Sequence, residues 1–201
     1  LSSFVGILPN EDIFFDVPQE ITTDNDLRIR LSMRTTNADI SPYFDKSSAA
    51  ITLVKNRINS AADIASNPET SATGGGAIAR YITRKVTLAE GFDATALKVF
   101  LDQNMPSGAS VKVFYKVINN NDDTPFDERP YVEMTRVQSD NVINEELNDF
   151  SEFEYRAEGI TYTEDGAEFN SFGQFVIKVV LLSTSTAKSP TIRNLRAIAF
   201  A

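Results

Sequence analysis

The feature that most limits what this chain can become is a series of short apolar runs with a two-residue period, separated by turn-forming residues. Leu27-Arg-Ile-Arg-Leu-Ser-Met33 alternates strictly, so Leu27, Ile29, Leu31 and Met33 share one face of a strand. Arg28, Arg30 and Arg34 fall on the other face, toward solvent or a partner. Leu97–Leu101 and Val111–Val117 are also rich in β-formers, and Asn104-Met-Pro-Ser-Gly108 between them supplies turn residues. That arrangement predicts a hairpin. Phe175-Val-Ile-Lys-Val-Val-Leu-Leu182 is apolar on both faces apart from Lys178, which predicts an interior strand covered on both sides. Ile51–Ile58, Ile78–Leu88, Tyr131–Val137, Phe153–Glu158 and Ile192–Phe200 are further strand candidates. In the last of these Arg196 interrupts the alternation and predicts a bulge or an arginine reaching across the sheet.

Helical signal is thin. Arg57–Ser66 and Val142–Phe150 could each form a turn or two, with Asn141 as a cap for the second. Many short strands with turn residues between them predict an all-β domain of the β-sandwich or jelly-roll kind. Residues 1–36 read as an irregular N-terminal arm or linker and residues 37–201 as the β-sandwich domain. Within the arm, Phe4, Phe14 and Phe15 stand among prolines with no clean period, so it has apolar area to bury and no regular element to bury it with. These three phenylalanines are therefore interface candidates. Asn67–Gly76 carries little that would order a chain, and a mobile loop is expected there.

Composition narrows the chemistry. There is no cysteine and no histidine, so disulfides, thiolate ligands, imidazole bases and imidazole-dependent triads are all excluded. The formal charge of −9 runs against nucleic-acid binding, which depends on clustered Lys and Arg. No apolar run is long enough to span a bilayer as a helix, so no membrane role is expected. The chain opens at Leu1 rather than at methionine, which suggests a segment of a longer polypeptide.

Two acidic constellations invite a chemical reading. Asp122, Asp123, Asp127 and Glu128 offer hard oxygen ligands suited to calcium, but the spacing lacks the glycine and terminal glutamate of an EF-hand. A solvated loop is the favoured reading and calcium the weaker alternative; no transition-metal site and no cofactor is expected. Glu145, Glu146, Asp149, Glu152 and Glu154 could hold a glycosidase pair, yet a charged surface explains them more simply. Gly74-Gly-Gly76 lacks the residues of a phosphate loop. Phe100 and Phe114 point away from the Val and Leu face of their strands, so each is expected beneath a loop or a partner subunit.

Three stretches carry a resemblance. They are Ser41-Pro-Tyr-Phe-Asp45 with Ile51–Asn59; Arg80–Leu88 with Gly91-Phe-Asp-Ala94, Leu97–Asp102, Val111–Val117 and Pro125-Phe-Asp127; and Phe150–Tyr155 with Phe172–Leu182 and Ser189–Ala199. In order and spacing the chain resembles large virion structural proteins of contractile-tailed bacteriophages, from the baseplate or tail-fibre region. The resemblance implies a structural, non-enzymatic module in a multi-copy particle, with other virion subunits and copies of itself as partners. It carries over no catalytic residues. The alternative is a carbohydrate-binding adhesin domain that touches a host glycan, and a polysaccharide hydrolase ranks last.

Overall fold

The computed structural model describes residues 32–45, 57–138, 142–144, 146, 148–186 and 188–201. The arm with Phe4, Phe14 and Phe15, the strands expected at Leu27–Leu31 and Ile51–Asn56, and Glu145 lie outside the described residues. The described chain is all-β and antiparallel. Its strands are β1 (Arg80–Ile82), β2 (Val86–Thr87), β3 (Ala96–Asn104), β4 (Ala109–Ile118), β5 (Val132–Glu133), β6 (Thr135–Arg136), β7 (Ser151–Ala157), β8 (Tyr162–Glu164), β9 (Ala167–Phe169), β10 (Gln174–Ser183) and β11 (Thr191–Phe200). One sheet runs β1-β10-β4-β5, with β2 also on β10; a second runs β11-β3-β7-β6; β8 and β9 form a hairpin.

β10 is the interior strand that its two-sided apolar sequence predicts. It pairs with β4 along its whole length and with β1 and β2 on its other flank. Its alternate residues divide between two clusters. Phe175, Ile177 and Val179 join Leu97, Val99 and Leu101 of β3, Val113 and Val117 of β4, and Phe153 and Tyr155 of β7. Val176, Val180 and Leu182 join Phe114, Ile64, Ala77 and Tyr131 on the opposite face. The first cluster draws on both large sheets; the second lies between the first sheet and the segment from Asn59 to Ala77.

The expected β3–β4 hairpin is a correction. The two strands belong to different sheets, and Met105–Gly108 carries the chain across from one to the other. Side by side in one sheet, the rows Leu97/Val99/Leu101 and Val111/Val113/Val117 would share a face and still need a cover. Crossing between sheets lets each row cover the other. Gly108, at φ +82°, makes the corner, and a Cβ there would lie 2.5 Å from Thr184 Oγ1.

Tyr131–Val137 likewise divides. β5 pairs with β4 in the first sheet and β6 with β7 in the second, and buried Met134 lies at the crossing. The irregularity expected at Arg196 is a bulge: the β11–β3 register shifts between Arg193 and Arg196, with Asn194 at φ +54°. Neither expected helix forms among the described residues. Residues 61–66 make successive turns, closed by Ala65 N–H to Ala62 O (3.3 Å) and Asn67 N–H to Ile64 O (3.1 Å). Asn144 instead exchanges two hydrogen bonds with the Met105 backbone.

Candidate functional site

The densest concentration of buried polar chemistry sits on the outer face of the first sheet. Lys116 of β4 and Lys178 of β10 are diagonal neighbours there, because Lys116 pairs with Val176 and Lys178 with Phe114. Over them lies the irregular segment from Asn59 to Ala77, which makes few strand-type bonds and so leaves carbonyls needing donors. The cations supply them. Lys178 Nζ donates to the carbonyls of Glu69 and Gly74 and to Glu69 Oε2, the last two at 3.1 and 3.0 Å. Three ammonium hydrogens thus meet three acceptors. Lys116 Nζ donates to Ala72 O (3.0 Å) and Asp127 O (3.3 Å), and Arg80 Nη1 to Gly74 O and Gly75 O (2.8 Å each).

The Tyr131 ring stands between the two ammonium groups, 4.2 Å from Lys178 Nζ and 4.4 Å from Lys116 Nζ, and Phe114 is 4.7 Å from Lys178. Burial lowers the pKa of Lys178, and the Glu69 carboxylate works against that shift. Burial also lowers Lys116, opposed by Asp127 and reinforced by Lys178. Glu69 closes the arrangement by accepting Ala77 N–H at 2.7 Å on Oε1. Gly75, at φ +80°, must lack a side chain, since a Cβ would lie 2.4 Å from that same oxygen.

The mobile loop expected at Asn67–Gly76 is therefore a correction: the segment is clamped onto the sheet by cations from β4, β10 and β1. Phe114 lies beneath it, 2% exposed, so its own chain provides its cover. Phe100, on the outer face of the second sheet, is half-buried under the Arg196 guanidinium at 5.2 Å.

The four calcium candidates do not converge. Among the described residues no three acidic side chains are placed to hold a metal ion. Asp122 is committed elsewhere, accepting Thr124 N–H (3.0 Å) on Oδ1 and the Tyr162 hydroxyl (2.9 Å) on Oδ2. Burial raises its carboxyl, but those hydrogen bonds and the charge of Arg129 outweigh burial and hold it below its usual value. Tyr162 accepts Asn119 N–H (2.7 Å), stacks on Phe169, and carries the Arg129 guanidinium 3.8 Å above its ring. Burial first, then the Asp122 carboxylate, pushes the Tyr162 phenol up to about 12. Arg129 also pairs with Glu164, so this node ties the 119–124 loop to the β8–β9 hairpin.

Three acidic residues of the second constellation, Asp149, Glu152 and Glu154, are engaged with cations and amides. Glu152 pairs with Arg196, Glu154 with Arg156 (2.6 Å) and Lys98 (3.9 Å), and Asp149 Oδ2 accepts from Asn144 (3.0 Å). The Arg156 hydrogen bond holds Glu154 below the usual carboxylate range, opposite to the shift a general acid needs. Sequence reasoning passed over Glu69, Lys116 and Tyr131, whose importance depends on pairings distant in the chain. Comparison with protein-family models, with curated proteins and with solved structures finds no match.

Proposed function

We propose that this chain is a β-sandwich, jelly-roll-like assembly module of a tailed-phage virion, in the baseplate or tail-fibre region, acting through protein–protein contacts. The virion assignment rests on the sequence resemblance. The sandwich reading is supported by the cluster to which both sheets contribute. The observation that carries a contact role is where exposed apolar side chains gather. Ile78, Tyr81, Ile82 and Val86 lie along or beside the outer strands β1 and β2, at 53, 53, 41 and 40% exposure. Tyr81 and Val86 project to the core-facing side and Ile82 to the other, and exposed apolar side chains on both sides of a sheet edge mark an edge meant to be covered.

The test is to introduce Tyr81→Asp and Val86→Asp into the phage gene that encodes the chain. The expected outcome is an isolated protein with an unchanged urea midpoint and a loss of its incorporation into tail particles. Normal particles from these variants would overturn the assembly reading. Glycan-dependent binding by the isolated protein, with assembly intact, would transfer the function to host recognition.

A further inference from the structure

Lys178 and Glu69 are 109 residues apart in the chain, yet their side chains meet where water scarcely reaches, at 0 and 4% exposure. Glu69 divides its oxygens between two donors. Oε2 accepts from Lys178 Nζ at 3.0 Å, and Oε1 accepts Ala77 N–H at 2.7 Å. An amine therefore touches a carboxyl group whose other oxygen is held by a fixed backbone donor, the arrangement that stabilises negative charge developing on that oxygen. Burial lowers the pKa of Lys178 toward the neutral, nucleophilic amine, with the Glu69 carboxylate opposing. The Phe114 and Tyr131 rings, 4.7 and 4.2 Å from Nζ, wall the pair in. Holding two charges there carries a desolvation cost that a neutral product would not have.

We propose that Lys178 and Glu69 condense to an isopeptide bond, which fastens the Asn67–Gly76 segment covalently to β10; the ionic contact is the state from which the bond forms. A proton passes from Nζ to Oε2, leaving a neutral amine and a carboxylic acid. The nitrogen lone pair attacks Cδ, the Nζ–Cδ bond forms and the Cδ–Oε2 bond breaks. Oε2 departs as water with the transferred proton and a second one from the nitrogen, so no oxidant, metal or cofactor is consumed. Well-oriented groups in one molecule reach effective molarities of about 10⁵–10⁸ M, which carries forward a condensation that separate amines and carboxylates in water do not undergo. The surroundings suit the product as well as the pair. The amide nitrogen keeps one hydrogen for the Glu69 carbonyl, and the amide oxygen keeps Ala77 N–H. Gly74 O loses Lys178 but retains Arg80 Nη1 at 2.8 Å. Lys116, 4.4 Å from the Tyr131 ring, is relieved of a neighbouring like charge. A chain without cysteine thereby gains a covalent cross-link that closes a long loop and restricts the unfolded chain.

The test is the intact mass of the full chain, kept folded at neutral pH and then read in denaturant. The unsubstituted chain is expected to weigh one water less than its sequence requires. Proteolysis and fragmentation should yield a branched peptide joining Glu69 to Lys178. Glu69→Ala and Lys178→Met are each expected to restore the full mass, a result that does not depend on how well either variant folds. Full mass in the unsubstituted chain overturns the proposal, as does a water loss that survives either substitution. A loss mapped to Asp165-Gly166, where an Asp-Gly pair can close to a succinimide, or a branch at Lys116 instead of Lys178, overturns it equally.

Discussion

The two large sheets use the same side-chain chemistry on their outer faces to opposite effect. On the first, Lys178 and Glu69 meet with side chains 0 and 4% exposed, under a covering segment. On the second, Arg196 and Glu152 meet at 60 and 51% exposure, in a ladder that also contains Lys98–Glu154, Arg156–Glu158 and Arg193–Asp102. Exposed pairs stay hydrated, are screened by salt and contribute little. A buried pair need not add net stability, yet it becomes costly to lose in half, because the abandoned partner keeps its desolvation and loses its compensation. The difference lies in the solvent rather than in the residues. A cover over one sheet turns its cations into structural parts, while the open face of the other leaves them as solubilising charge.

The sharpest way to break that comparison is Glu69→Ala. It strands the Lys178 ammonium, and a loss of about 3–5 kcal/mol in urea unfolding is expected. Limited proteolysis is then expected to cut between Asn67 and Gly76 in the variant and to spare that stretch in the intact protein. A loss below about 1 kcal/mol would place this pair with the surface ladder. Next in size is Lys116→Met, which keeps the apolar stem and removes the donor to Ala72 O and Asp127 O. Its expected cost is about 1–3 kcal/mol, from the loss of two part-buried hydrogen bonds made by a charged donor.

Tyr162→Phe probes a centre of intermediate burial. It deprives Asn119 N–H of its acceptor, for an expected loss of about 1 kcal/mol at neutral pH. The sign of its pH dependence is set by a folded phenol raised from 10.0 to about 12. Its contribution is fully present below pH 10 and disappears as pH climbs through about 12. Ultraviolet titration of phenolate in the wild type and the variant should therefore diverge only in that upper range. The smallest effect belongs to Arg196→Ala, at most about 1 kcal/mol and shrinking with added salt. A larger loss that salt leaves untouched would point to the cover this guanidinium gives Phe100 rather than to its charge.

How far each region was legible follows from where its partners lie in the chain. β10 could be read locally, because a strand covered on both faces must be apolar on both. The β11 bulge was legible for the same reason, as Arg196 breaks a local period. The β3–β4 connection was misread because a Pro/Gly turn between two β-rich runs looks the same whether the strands pair or face each other; sheet membership is decided by β10 and β11, far downstream. Asn67–Gly76 was misread because, beyond its own local turns, the groups that hold it to the sheet come from Arg80, Lys116, Tyr131 and Lys178. The β8–β9 hairpin was legible and missed: Asp165-Gly166, both at positive φ, is a two-residue turn of the type Asp-Gly favours. Among the site residues, only Lys178 stood out from sequence, as the one charge in an apolar strand. Its partner Glu69 lay in a stretch with no apparent reason to be ordered.

The crossing at Met105–Gly108 has a kinetic consequence. Because β3 and β4 do not pair, β4 finds only the two-residue β5 nearby in sequence and waits for β10 for its long ladder, and β3 waits for β7 and β11. Nearly every large pairing therefore closes a long loop, and chains of such high contact order fold slowly, in milliseconds to seconds. Among the described residues, β1, β2 and β3 have no partner strand earlier than β7. β11, Thr191–Phe200, is needed before β3 gains its second flank. Folding should then be late and concerted, and removing β11 should cost far more than its area suggests.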